Sequence, residues 1–278
     1  MASVDELFGK YTKGDATADL RTARQDDRRP VAPEVSTSDI GTVATDYKKD
    51  DGTIPGFLIV VISGGEVREA DYLTELTKKR TFPHVKLIFA SSEKLRGGLS
   101  PKMMQAKLNE VIDFDETAQS RRIYYSSVDR IFMVSDVDHF YEELREILGH
   151  NTDAKITWTV SNPCFEIWLY YAYFERPSAT IRTLETEPSH KRSSRLKTLN
   201  NEVRRGGIDP RKAFEELRAA NRNSRNNYHE DSNSIPTLYS TGMYMLGEYI
   251  LEAIGEGAFD KWLAGKQARI EAFRSRMK

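Results

Sequence analysis

Four short runs rich in β-branched and aromatic residues set the outline of this chain: Phe57–Ile62, Val85–Ala90, Arg130–Ser135 and Lys155–Val160. They are largely unbroken by polar residues, as strands covered on both faces are. Between them lie segments with helical spacing: YLTELTKKR, then SPKMMQAKLNEVIDF, then HFYEELREIL. Ser100 stands at an N-cap position and Pro101 at the first helical position of the second of these. Strand and helix alternate three times, an order that builds a parallel sheet through right-handed crossovers. Beyond Val160 the spacing becomes helical, from PCFEIWLYYAYFE through AFEELRAANRNSRNN to TGMYMLGEYILEAI and FDKWLAGKQARIEAFRSRM. The expected fold is α/β, with a parallel sheet of about four strands and a helical C-terminal part. The expected organisation is a flexible polar arm over residues 1–52, an α/β core over 53–178, and a helical region over 179–278 packed on the core.

Composition narrows the chemistry. The single cysteine, Cys164, rules out an intrachain disulfide and a thiolate-rich metal site, so any metal must rest on carboxylates. No run approaches the roughly 18 apolar residues of a membrane span, and MASVDELFGKYTKGD lacks the apolar stretch of a signal peptide. A cytoplasmic protein without a membrane partner is expected. The formal net charge of −1 decides little, because a balanced total can hide segregated patches.

In a parallel α/β sheet, ligands bind beyond the carboxyl ends of the strands. The first strand here runs into Ser63, Gly64 and Gly65 and then into Glu66 and Glu69. The third runs into SDVDHF, with Asp136 and Asp138 two residues apart. Positions two apart in extended backbone point to one side, so both carboxylates can face one cation. Oxygen-only ligation suits Mg²⁺, or Mn²⁺ in its place. Each feature also has a plain structural reading. Asp138 can cap a helix opening at His139, Glu66 and Glu69 can complement a helix N-terminus, and two glycines after a strand can mark only a tight turn. In VSNPCFEIWLYYAYFE, Ser161 or Asn162 can cap a helix that starts at Pro163, with Phe165, Trp168, Leu169 and Ala172 on its buried face. Glu166 then opens onto the end of the fourth strand, as a further carboxylate or as a dipole complement. Cys164 reads as a small buried residue, and His139 is the one histidine beside the Asp pair.

The order of Gly65, Glu66, Glu69 and Tyr72 after an apolar strand, SDVD after another, and SNPCFEIWL resembles the RloB-like family. NSIPT, at Asn233–Thr237, is similar to a late Asn-Pro-Ser-Thr element of that family. The resemblance covers about residues 57 to 255. It implies a Toprim-type core of metal-dependent nucleases, acting with an ATPase subunit in bacterial antiphage defence or abortive infection. It assigns catalysis to Glu66, Glu69, Asp136 and Asp138 and metal ligation to Asp136, Asp138 and Glu66; Glu166 and His139 take supporting places by their positions alone. One departure is evident: the leading Glu of the family's Glu-Gly-Glu turn falls on Gly64. Either Glu66 or Glu69 takes over its role, or the domain keeps the fold without normal cleavage.

The stretch from His190 to Asn227 carries eleven Lys or Arg against four acids. Beside an acidic pocket it reads as a phosphate-binding face, with Lys191, Arg192, Arg195, Arg204 and Arg205 as nucleic-acid contacts. A solvated helix face or a dock for an acidic partner explains the same charges. The leading expectation is an Mg²⁺-dependent nuclease acting on RNA such as tRNA, or on DNA. The alternative is a catalytically reduced subunit that serves the ATPase as scaffold or sensor. Homo-oligomerisation is left open. A phosphotransfer domain would need a nucleophilic Asp after the first strand, where SGG stands.

Overall fold

The structure is a computed structural model, and it describes residues 56–78, 80–92, 98–117, 120–204 and 207–276. The expected arm over residues 1–52 lies outside the described residues, as does Arg205.

The elements follow in chain order: β1 (Phe57–Ser63), α1 (Arg68–Thr77), β2 (Val85–Ala90), α2 (Pro101–Val111), β3 (Ile112–Asp113), β4 (Ile123–Tyr124), β5 (Arg130–Asp136), α3 (Tyr141–Leu148) and β6 (Ile156–Ser161). The helical part continues with α4 (Glu166–Tyr171), α5 (Ala179–Arg182), α6 (Ser189–Val203), α7 (Pro210–Ala213), α8 (Leu217–Asn226), α9 (Met243–Ile254) and α10 (Glu256–Arg276). Four strands form one parallel sheet in the order β2-β1-β5-β6, as the continuously apolar runs predict. The helical run that the spacing carries to Phe114 stops at Val111. Ile112–Asp113 pairs instead with Ile123–Tyr124 in a separate two-stranded parallel ladder, because Asp113 gains Arg122 and Thr117 as partners there.

Alternation along the strands divides the core into two layers. Ile59, Val61, Phe132 and Val134 point into one layer with Tyr72, Leu73 and Leu76 of α1, Trp168 of α4 and the apolar faces of α6, α8 and α9. Leu58, Val60, Ile62, Ile131 and Met133 point into the other, with Met104 and Leu108 of α2 and Leu144 and Ile147 of α3. Helices therefore cover both faces. From β1 the chain moves outward to β2 through α1, then returns across β1 to β5 through α2 on the opposite face. The carboxyl ends of β1 and β5 form the point where the winding reverses, the usual ligand position of such sheets.

Ser100 caps α2 as its position predicts, accepting the Met103 N–H at 3.5 Å. The two other expected caps are not made. The residue preceding α3 is Phe140, so Asp138 stands off that helix. Helix α4 begins at Glu166, not at Pro163, and neither Ser161 nor Asn162 caps it. The Ser161 hydroxyl pairs with that of Thr241 at 2.7 Å, and the Asn162 side-chain amide donates to the Pro236 carbonyl at 2.7 Å. Asn162 is thus drawn away by the NSIPT segment, and Ser161 by Thr241 just beyond it.

Glycine is required where the loop before α2 closes on the β1 turn. Leu99 N–H donates to the Gly64 carbonyl at 2.9 Å, and Gly64 N–H to the Val134 carbonyl at 2.8 Å. Gly98 has φ +76°, and a Cβ there would overlap the Gly64 carbonyl. Gly98→Ala should therefore cost roughly 1–3 kcal/mol through left-handed backbone strain and displacement of the turn. A urea unfolding midpoint unchanged from wild type would contradict this.

Candidate functional site

Three carboxylates from three elements meet at the carboxyl ends of β1 and β5. Asp136 ends β5 on the same sheet face as Phe132 and Val134. Glu69 lies in the first turn of α1, and Glu166 opens α4. Tyr72, three residues after Glu69, fixes their separation. Its ring packs edge-on against Phe165 and Trp168, each with centroids 5.9 Å away, and against Phe214 at 5.5 Å. Aromatic packing of this kind holds α1 against α4 and so carries Glu69 towards Glu166.

The link between β5 and α4 is polar. Asp136 Oδ1 accepts the Phe165 N–H at 2.8 Å, so a carboxylate from another strand satisfies a donor at the start of α4. Glu69 folds back over Gly65, where any Cβ would overlap its carboxylate. Gly65 is the reason that Glu69 can sit on its own turn. Gly64 behaves differently. A side chain there would meet the Leu99 carbonyl at 3.1 Å and Met104 Sδ at 3.6 Å, in the layer on the other sheet face. The acid that the family's turn implies at this position is thus absent, and its place faces away from Glu69 and Asp136.

Burial and like charge raise the proton affinity of this group. Glu69 is buried and its carboxyl is pushed up to about 7, first by desolvation and then by the Glu166 charge. Desolvation, followed by the Glu69 and Glu166 charges, holds Asp136 well above the ordinary carboxylate range. Cys164 is buried beside them; burial, then Glu166 and Asp136, pushes its thiol up and leaves it an inert packing residue.

Two cations reach Glu166 Oε1: Arg68 Nε at 3.4 Å and Lys197 Nζ at 3.9 Å. Burial would lower the Lys197 ammonium, but the acidic groups around it, Glu166 first, outweigh it and hold it above its usual value. Neither cation stood out in the sequence as a site residue. Arg68 sits unremarked between Glu66 and Glu69, and Lys197 was one basic residue among eleven. A signal was present in α6: Ser193, Lys197 and Asn200 recur at four and three residues, one helix face. That face packs on the α4 start, with the Ser193 hydroxyl donating to the Pro163 carbonyl at 3.4 Å and the Asn200 amide to the Glu166 carbonyl at 3.1 Å.

The remaining sequence candidates are spread more widely. Asp138 is half-buried with Oδ1 free of any hydrogen bond, and His139, which is exposed, places Nε2 3.5 Å from that oxygen. Glu66 is exposed at the tip of the turn and makes no hydrogen bond or ion pair among the described residues. Lys191 is exposed, Arg192 Nε donates to the Glu187 carbonyl at 3.0 Å, and Arg195 pairs with Glu202 at 3.6 Å. The Arg204 guanidinium lies 3.8 Å from the centroid of the Tyr173 ring. Several of the basic charges are therefore already engaged.

The donors at the pocket fit a hard divalent cation in kind. They are all oxygen; at the ends of the same strands Ser63 Oγ and Asp138 Oδ1 are buried without a hydrogen bond, the latter 3.5 Å from His139 Nε2. As placed, however, no group of three or more His, Cys, Asp or Glu side chains among the described residues stands ready to hold one metal ion. A doubly wound parallel domain with buried carboxylates at its winding reversal is the class of protein that this geometry defines. Within that class the chain belongs to the RloB-like family: the family described as RloB-like protein matches residues 59–250, more than half of the chain. Comparison with curated proteins and with solved structures returns no match. Among the described residues no helix is long and apolar enough to cross a membrane.

Glu69 makes the site's electrostatics measurable. Its folded-state pKa lies above the unfolded value, so the stability that its protonated form contributes is complete below about pH 4.5 and lost as pH rises through about 7. In metal-free buffer, Glu69→Gln should match wild type in thermal stability near about pH 5 and exceed it near about pH 8. A constant difference between the two proteins across that range would remove the buried-carboxylate account.

Proposed function

We propose that this RloB-like chain is a metal-dependent nuclease subunit that hydrolyses phosphodiester bonds in RNA such as tRNA, or in DNA. The observation that carries the reading is the convergence of Glu69, Asp136 and Glu166 from three separate elements into one buried, mutually repelling cluster at the winding reversal. Burying like charges is costly unless something compensates them, and function is the common reason for keeping such an arrangement. Asp136 and Asp138 would hold Mg²⁺ or Mn²⁺, which supplies Lewis-acid stabilisation of the scissile phosphate when bound. Glu69, poised near neutrality, can accept a proton from an attacking water. Asp136 is anchored by the Phe165 N–H and keeps one oxygen for the pocket. Glu66, exposed at the turn, could enter only by moving.

The setting proposed with this activity is the cytoplasm and antiphage defence, with an ATPase subunit as partner and self-association as a further arrangement. The bare Gly64 and the outward Glu66 favour a second reading, a catalytically reduced subunit that serves the ATPase as scaffold or sensor.

Cleavage of total tRNA and of plasmid DNA, with Mg²⁺ and with Mn²⁺, in the presence and absence of the ATPase subunit, separates the two. The nuclease reading expects metal-dependent cleavage that Asp136→Asn lowers by at least about 100-fold. Asn keeps an oxygen for Phe165 N–H but removes the charge, so the fold survives. No cleavage under any of these conditions, together with undiminished defence by Asp136→Asn in cells, would leave the scaffold reading.

A further inference from the structure

Arg68 and Lys197 come from helices 129 positions apart in sequence, 197 minus 68, and converge on a single carboxylate oxygen. A pair built only to neutralise Glu166 would be expected to close to hydrogen-bond length, about 2.7–2.9 Å. Ion pairs elsewhere in the molecule do so: Arg211 to Asp71 at 2.7 Å, and Lys266 to Glu215 at 2.9 Å. At the pocket the separations are 3.4 and 3.9 Å, and Glu166 satisfies neither cation's donors. Arg68 Nε is buried without a hydrogen bond, although Nη2 of the same group is fixed on the Ile208 carbonyl at 3.0 Å. Lys197 makes no hydrogen bond among the described residues, so its ammonium donors stay open. Both side chains also remain reachable, 40% and 56% exposed, while Glu166 is 6% exposed beneath them. Two cations with unused donors thus stand at the mouth of an acidic pocket, one anchored and one free to swing.

We propose that Arg68 and Lys197 form a phosphate-binding rim that grips the non-bridging oxygens of one backbone phosphate of a nucleic-acid strand and places it over the carboxylates. This rests on the nuclease reading and assigns the substrate's phosphate to two named residues. Arg68 supplies the charge of a guanidinium fixed on the Ile208 carbonyl, and Lys197 supplies a mobile charge. Glu166 is their resting counter-anion and competes with the phosphate for them. That competition gives the rim a signature that a purely structural ion pair lacks: removing the cations weakens phosphate binding, and removing the anion strengthens it.

The test uses the full chain in EDTA, so that no metal contributes, and fluorescein-labelled short single-stranded RNA and DNA oligonucleotides followed by fluorescence anisotropy. Lys197→Met and Arg68→Met should each weaken binding about fivefold to tenfold, the scale of one charge-assisted contact. Glu166→Gln should tighten it about threefold, because both cations are released. Lys197 is largely exposed, so its variant reports even if Arg68→Met unfolds. If wild type binds while both cation variants bind equally well, or if Glu166→Gln weakens binding, the two residues are only counter-ions and the proposal fails. Should wild type bind neither oligonucleotide, the rim proposal fails, while the nuclease reading stands or falls on the cleavage assay with metal and the ATPase subunit.

Discussion

The hydrogen bond from Phe165 N–H to Asp136 Oδ1, 2.8 Å long, is the contact on which the rest of the site depends. It ties the end of β5 to the start of α4, and so holds Glu166 beside Asp136. It also uses one oxygen of Asp136 for structure and leaves the other to the pocket. A lone buried carboxylate would be expelled or neutralised. Here it is held because a helix start offers a donor and because Lys197 supplies positive charge, although burial and the neighbouring acids still raise its proton affinity. The same contact explains why α4 begins later than its sequence suggests, since the donor that a local cap would take is already engaged.

Around this contact the packing is asymmetric. The layer that carries Glu69, Asp136 and Glu166 is built on large aromatic side chains, with Tyr72 surrounded by Phe165, Trp168 and Phe214. The opposite layer is mostly aliphatic, with Trp158 buried in it and Tyr125, Phe140 and Tyr141 at its edge, and it closes on the β1 turn through Gly98 and Gly64. A rigid aromatic layer suits a site whose charges repel, because the helices cannot drift apart to relieve them. The turn glycines divide the work: Gly65 gives Glu69 room, and Gly64 lets the loop before α2 lie close.

Much of the fold was legible in the chain. The four strands fall within one residue of the apolar runs at each end, and the parallel order follows from their alternation with helices. Of the candidate site, Asp136, Glu69 and Glu166 were visible by their places at strand ends and at the start of SNPCFEIWL. Arg68 and Lys197 were not, because a cation's role is set by what it faces and both stand among other charges. Ser161 and Asn162 had the right types for a cap, but the distant Pro236 and Thr241 engage them instead. Glu66 and Glu69 looked equivalent at three-residue spacing, yet one is exposed and the other buried, because α1 begins between them at Arg68.

Sequence by itself determined the elements that depend on neighbours along the chain: strand runs, their parallel alternation with helices, the Ser100 cap, and the acid-rich ends of β1 and β5. These follow from backbone preference and from hydrophobic period, which are local. Tertiary structure alone decided which charges meet, since residues 68, 69, 136, 166 and 197 are brought together only by strand order and by α6 folding back on α4. It also decided their protonation, because the proton affinities of Glu69 and Asp136 are set by burial and by carboxylates distant in sequence. A carboxylate's type is written in the chain; its charge is set by the dielectric and the neighbours that folding gives it.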